Sequence, residues 1–173
     1  MIEIYCGDGK GKTTASVGLA VRGAGHNIKV IFMQFMKGDS SGEIAVLRKI
    51  PCVSVYHTPV FYGFVKNMTD EQKREMCGHY SRLIEKAHEE IKNANGEKMI
   101  IILDEVIHAC NYGLLKEEEL LNLIDGCPEN IEIVLTGRDP SDELVKRADY
   151  ISEVKKIKHP FDRGIMAREG IEL

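Results

Sequence analysis

The chain has 173 residues, 43% of them hydrophobic and 29% charged, the balance of a protein that folds around a core rather than of a disordered one. This length suits one domain, expected over residues 1–173, and is short for two. Lys and Arg number 23 against 27 Asp and Glu, leaving a net charge of −4, the wrong sign for holding a nucleic-acid backbone.

Apolar runs reach five or six residues, as in Met99 to Leu103, far below the ~20 that cross a bilayer. The N-terminus carries no basic-then-apolar leader, so a cytoplasmic location is expected. Five cysteines, with no Cys-x-x-Cys pair among them, give neither a zinc ribbon nor a complete disulfide framework. They read as free thiols packed mostly as small apolar side chains.

Short apolar runs alternate with helical patterns, which predicts an α/β domain with a mainly parallel sheet. Strand Ile2 to Cys6 leads through glycines into a helix from Thr13 to Ala24. Strands follow at Lys29 to Phe35 and, after Pro51, at Cys52 to Tyr56. Thr69 and Gln72 have capping-box spacing, so a helix starts there and ends at Asn95-Gly96. Its apolar positions Met76, Tyr80, Leu83, Ile84, Ala87 and Ile91 recur at three and four. The run Lys98 to Leu103 reads as a strand buried on both faces. Beyond it come a helix at Glu117 to Ile124, a strand at Ile131 to Leu135, a helix at Ser141 to Ala148 and a strand at Tyr150 to Val154. Met33, Met36 and Met99 are expected in the core.

Gly7-Asp8-Gly9-Lys10-Gly11-Lys12-Thr13-Thr14 lies between the first strand and the first helix, the setting of a phosphate-binding loop. Glycines let successive amides converge on one anion, and the helix adds its positive end. Lys12 is placed to reach phosphate oxygens and the Thr13 hydroxyl to face Mg²⁺ or Mn²⁺. Cys6 stands where the usual pattern has a further glycine. Asp104-Glu105 ends the mid-chain strand, and the pair is positioned to hold that metal. The alternative for Asp104 is a cap on the next helix. In a parallel sheet both features emerge at the carboxyl edge, where α/β ligands bind.

Further segments carry a family resemblance. Besides the loop these are Arg-Gly-Ala-Gly-His (22 to 26), Gln-Phe-Met-Lys-Gly (34 to 38), Gly42-Glu43, Gly63-Phe64, Leu-Asp-Glu (103 to 105) and Tyr112-Gly113-Leu114. Thr-Gly-Arg (136 to 138), Lys-His-Pro-Phe (158 to 161), Gly164-Ile165 and Glu169-Gly170-Ile171-Glu172 complete the set. In this order, along essentially the whole chain, they resemble the P-loop ATP:corrinoid adenosyltransferases. The resemblance implies a three-layer, RecA-like P-loop fold and transfer of the adenosyl group of ATP to a Co(I) corrinoid. It further implies a homodimer and a flavin-type reductant, while charge and run length speak against nucleic-acid and membrane partners. By the same likeness Lys12, Thr13 and Glu105 are catalytic. Residues 7 to 14 with Arg138 bind the nucleotide, and Thr13, Glu105 and Asp104 hold the metal.

The family strips the lower axial ligand of the corrinoid with an apolar plug, here matched by Gly63-Phe64-Val65-Lys66. Phe64 is retained and Lys66 stands at the Trp position; Tyr62, with Phe61, is the aromatic expected to compensate. Asp8 replaces the loop's usual Asn. The family's helix before the first strand is not matched, which implies a more open corrin pocket. Of the six histidines no two have metal-site spacing, and only His159 falls in a family segment. Two rival readings remain from the residues: an ordinary P-loop NTPase or kinase acting at the γ-phosphate, and a non-catalytic nucleotide- or corrinoid-binding protein.

Overall fold

The computed structural model describes residues 1–38 and 41–172. Among them six strands form one sheet: β1 (Ile2–Cys6), β2 (Lys29–Gln34), β3 (Val53–His57), β4 (Met99–Asp104), β5 (Ile131–Thr136) and β6 (Tyr150–Glu153). Their order is β3-β2-β4-β5-β1-β6, and every neighbouring pair is parallel. Helices α1 (Lys12–Gly25), α2 (Gly42–Leu47), α3 (Asp70–Asn93), α4 (Val106–Asn111), α5 (Glu117–Asp125) and α6 (Asp142–Arg147) make the connections.

Alternation along the strands builds three layers. On one face Ile31, Met33, Ile101, Leu103, Ile133 and Leu135 pack against α3, α4 and α5. On the other, Val30, Phe32, Ile100, Ile102 and Val134 pack against α1 and α2. All six residues of β4 are buried, which explains the unbroken apolar run.

Element boundaries shift by only a residue or two from those expected. Thr69 and Gln72 form a reciprocal capping box that starts α3, and Asn95 and Gly96, at φ 49° and 83°, end it. Two six-residue helices, α2 and α4, are additions. Neither has a side-chain N-cap hydrogen bond, and six residues are too few to display a helical period. The cysteines are free, but only Cys6 is buried and the other four are half-buried. Met33 and Met99 lie in the core. Met36 does not join them fully: at φ 56° it leaves the end of β2 and packs only partly against the core.

Between β3 and α3, the buried carboxylate of Glu90 accepts from Lys29 at 2.8 Å and from the Tyr56 hydroxyl at 2.8 Å, with Lys86 at 3.4 Å. Burial alone raises its pKa, but these partners outweigh burial and hold it below the usual carboxylate range. A depressed folded-state value stabilises above the unfolded value of about 4.3 and is lost as pH falls through the folded value. Glu90→Gln is therefore expected to cost about 1–3 kcal/mol at pH 7. Urea titrations at pH 7 and pH 3 should show that gap closing in acid.

Candidate active site

The phosphate loop is shaped by what crosses it. Gly7 and Gly11 sit at φ 102° and 128°, where side chains are strained. A Cβ on Gly7 would lie 2.5 Å from the Val154 carbonyl oxygen, and one on Gly9 2.7 Å from the same atom. Gly9 N–H donates to that oxygen at 2.7 Å, so this amide is turned to the chain after β6 rather than to the cavity. Asp8 faces the same way. Its Oδ1 accepts the Lys156 N–H at 3.0 Å, a bond that holds the carboxyl below its ordinary pKa. Cys6 keeps ordinary strand geometry and needs no glycine there; its carbonyl accepts the Val154 N–H at 2.8 Å.

Lys12, buried at the start of α1, donates to the Gly7 and Gly9 carbonyls at 2.7 and 3.0 Å. Burial lowers its pKa against the pull of Glu105. The helix begins after Gly11 with no side-chain cap, which leaves its first amides open toward an anion.

The acidic end of β4 divides its labour. Asp104, fully buried, accepts the Thr136 hydroxyl at 2.8 Å through Oδ1. Its Oδ2 takes Lys37 Nζ at 3.1 Å and Gln34 Nε2 at 3.3 Å. Lys37 also donates to Thr13 Oγ1 at 3.0 Å and lies 3.6 Å from Glu43 Oε1. Burial would lower the Lys37 ammonium, and Asp104, Glu105 and Glu43 more than reverse that. Gln34 also donates to Glu43 at 3.0 Å, while its buried Oε1 has no partner among the described residues.

Asp104 caps no helix. The N-cap position of α4 falls to Glu105, held at φ 64° with its N–H on Thr136 Oγ1 at 2.8 Å. The Glu105 carboxylate bonds His108 Nδ1. Burial raises its pKa, but His108, Lys37 and Lys12 together bring it below the ordinary value. A non-glycine residue kept in left-handed backbone is a strain that functional sites often store.

Two cavities meet here. The first, about 360 Å³, is lined by residues 8–14 of the loop and by Lys37, Glu43, Glu105 and Arg138, with His159, Phe161 and Met166 from the C-terminal segment. The second, about 590 Å³, is lined by Met36, Phe61, Gly63, Phe64, Val65, Lys66, His108 and Tyr112. Lys12, Glu105 and Arg138 face both. Gly7 and Asp104 line neither: Gly7 acts through its carbonyl on Lys12, and Asp104 meets the first cavity through Lys37, which covers its Oδ2.

Phe64 is 76% exposed, and Lys66 Nζ sits 5.8 Å from its ring centroid, an arrangement of cation over ring. Tyr62 does not line this cavity, contrary to expectation. Its hydroxyl is committed to Glu75 on α3 at 2.6 Å, and Phe61 takes its place on the wall. Sequence reasoning also missed Gln34, Lys37, Glu43, His108 and Thr136 as site residues. Gln34, Lys37, Glu43 and Thr136 stand inside family segments, the one signal that pointed to them; His108 stands outside them.

A lysine-bearing glycine loop between strand and helix, beside an acid-ended parallel strand, defines a P-loop nucleotide-binding protein. The fold agrees. The chain superposes on ATPases 2 and 3 of EssC from Geobacillus thermodenitrificans with a TM-score of 0.53 at 15% identity, over 99% of this chain and 36% of that longer one. Residues 1–173 match the family ATP:corrinoid adenosyltransferase BtuR/CobO/CobP, and the chain belongs to that family.

A corrinoid adenosyltransferase of Pseudomonas aeruginosa is 33% identical over 99% of this chain and 83% of its own length. Those of Escherichia coli K12 and Salmonella typhimurium are 32% and 30% identical, each over 99% of this chain and 85% of theirs. Among the described residues no helix is long and apolar enough to cross a membrane.

Proposed function

We propose that this chain transfers the 5′-deoxyadenosyl group of ATP to the Co(I) centre of a corrinoid and releases triphosphate. One observation carries the reading. The phosphate-loop cavity opens into a larger, partly apolar cavity across Lys12, Glu105 and Arg138. Triphosphate in the first and a corrin ring in the second bring the ribose C5′ to the boundary. The Co(I) lone pair attacks C5′, the C5′–O bond breaks, and its electron pair leaves on the triphosphate oxygen. No proton moves, so no general base is required. The residues position the two reactants and neutralise charge on the leaving oxygen. Lys12, Arg138, Lys10 and the amides at the head of α1 suit that task.

The site also suits a hard divalent ion, Mg²⁺ or Mn²⁺. Thr13 Oγ1, Asp104 Oδ2 and Glu43 Oε1 converge on a single cation, the Lys37 ammonium, and Gln34 Oε1, without a partner among the described residues, lies beside them. Thr13 and Asp104 would hold the ion, with Glu105 on the same cavity wall, and it would supply further charge for the departing triphosphate. Family likeness supports a homodimer in the cytoplasm, a single domain, and a flavin-type reductant.

The test is an anaerobic single turnover with preformed Co(I) corrinoid, quantifying both products. Equal amounts of alkylated corrinoid and intact triphosphate are expected. ADP would move the chemistry to the γ-phosphorus, and ATP binding with no product would leave a binding protein. Lys66 supplies no desolvated aromatic wall, because its ammonium must stay hydrated or paired. Lys66→Trp is therefore expected to speed turnover several-fold more from Co(II) than from preformed Co(I). Equal effects on the two would reject the axial-ligand role of this loop.

A further inference from the structure

We propose that Lys37 is a resident counter-ion of the divalent-metal site, making metal binding conditional on nucleotide. The inference rests on the metal reading above. Lys37 Nζ stands 3.0 Å from Thr13 Oγ1, 3.1 Å from Asp104 Oδ2 and 3.6 Å from Glu43 Oε1. These oxygens come from α1, β4 and α2, so one point collects hard donors from three elements. Asp104 is fully buried, and a buried carboxylate without a cation is costly. Lys37 supplies that cation from within the chain.

The tether is fixed at one end and long at the other. Met36 N–H donates to the Tyr80 hydroxyl at 2.8 Å, which anchors the backbone beside Lys37 to α3. Four methylenes then carry the ammonium, and Lys37 also lines the phosphate-loop cavity. A divalent ion entering between Thr13 and Asp104 meets a positive charge already there, and the two repel at such separations.

The protein donors are also few. Among the described residues no three His, Cys, Asp or Glu side chains gather as a metal site, and a small hard ion completes its shell with phosphate oxygens and water. Polyphosphate answers both difficulties. It brings ligands for the ion and an anion toward which the Lys37 ammonium swings. Metal and nucleotide therefore enter together, and Lys37 exchanges the carboxylate for phosphate.

Mn²⁺ binding tests this without any turnover. In the absence of nucleotide, the wild-type chain is expected to bind Mn²⁺ weakly by the paramagnetic signal of the free ion. Lys37→Met should bind it at least ten-fold more tightly. Lys37→Gln, which keeps a hydrogen-bond donor for Asp104, serves where the methionine variant is too unstable and should change in the same direction. Water-proton relaxation, which distinguishes protein-bound Mn·ATP from the free complex, should show wild type acquiring the ion with ATP. Equal nucleotide-free affinity in wild type and variants overturns the role of Lys37 alone. So does wild-type Mn²⁺ binding as tight without ATP as with it. Failure of every chain to bind Mn²⁺, even with ATP, overturns the metal reading as well.

Discussion

Lys12→Ala is expected to lower adenosyl transfer at least ~10³-fold, since one preorganised donor to a developing oxyanion is worth 10²–10³ and this one carries a full charge. The side chain is buried at the meeting of the two cavities and lines both. Its loss removes two hydrogen bonds, to the Gly7 and Gly9 carbonyls, a cost of about 1–3 kcal/mol. The fold should survive that, as circular dichroism will report. Single-turnover rates with preformed Co(I) separate the effect on transfer from any effect on reduction. Near-normal turnover would mean the loop does not hold the triphosphate.

For Gly7→Ala the larger effect falls on stability. The added methyl meets two independent penalties. Left-handed backbone at φ 102° is strained for alanine, and the Cβ would sit 2.5 Å from the Val154 carbonyl oxygen, a backbone atom that cannot step aside. Strain of about 1–3 kcal/mol and overpacking of similar size give roughly 2–5 kcal/mol. In a chain of this length that lowers Tm by roughly 10 °C. Gly63→Ala is the control: φ is 77° there but none of the described residues lies within 4 Å, so only the strain remains. Thermal unfolding should rank the two clearly. If both fall equally, the crossing at Val154 has no energetic weight.

Patterns local in the chain were readable without coordinates. Unbroken β-branched runs marked the central strands because both faces of β2, β4 and β5 meet a helical layer. The Thr69–Gln72 spacing set the start of α3, and the loop glycines announced a turn over an anion. Interactions between distant segments were not readable. Lys37 reaches Thr13 and Asp104, and Gln34 reaches Asp104, only because β2 lies beside β4, and Glu43 on α2 joins them through Gln34 and Lys37. Asp8, standing for the loop's usual Asn, is held by Lys156 N–H, a partner 148 residues away that nothing in the sequence announces. Tyr62 looked like part of an aromatic wall until the position of Glu75 on α3 drew its hydroxyl away.

The first and last strands of the sheet, β1 and β6, lie side by side, and the chain just after β6 closes over Gly7 and Gly9. A nascent chain thus carries the glycine loop early, but the backbone contacts that clamp Gly7 and Gly9 form only once the strand at Tyr150–Glu153 has emerged and docked.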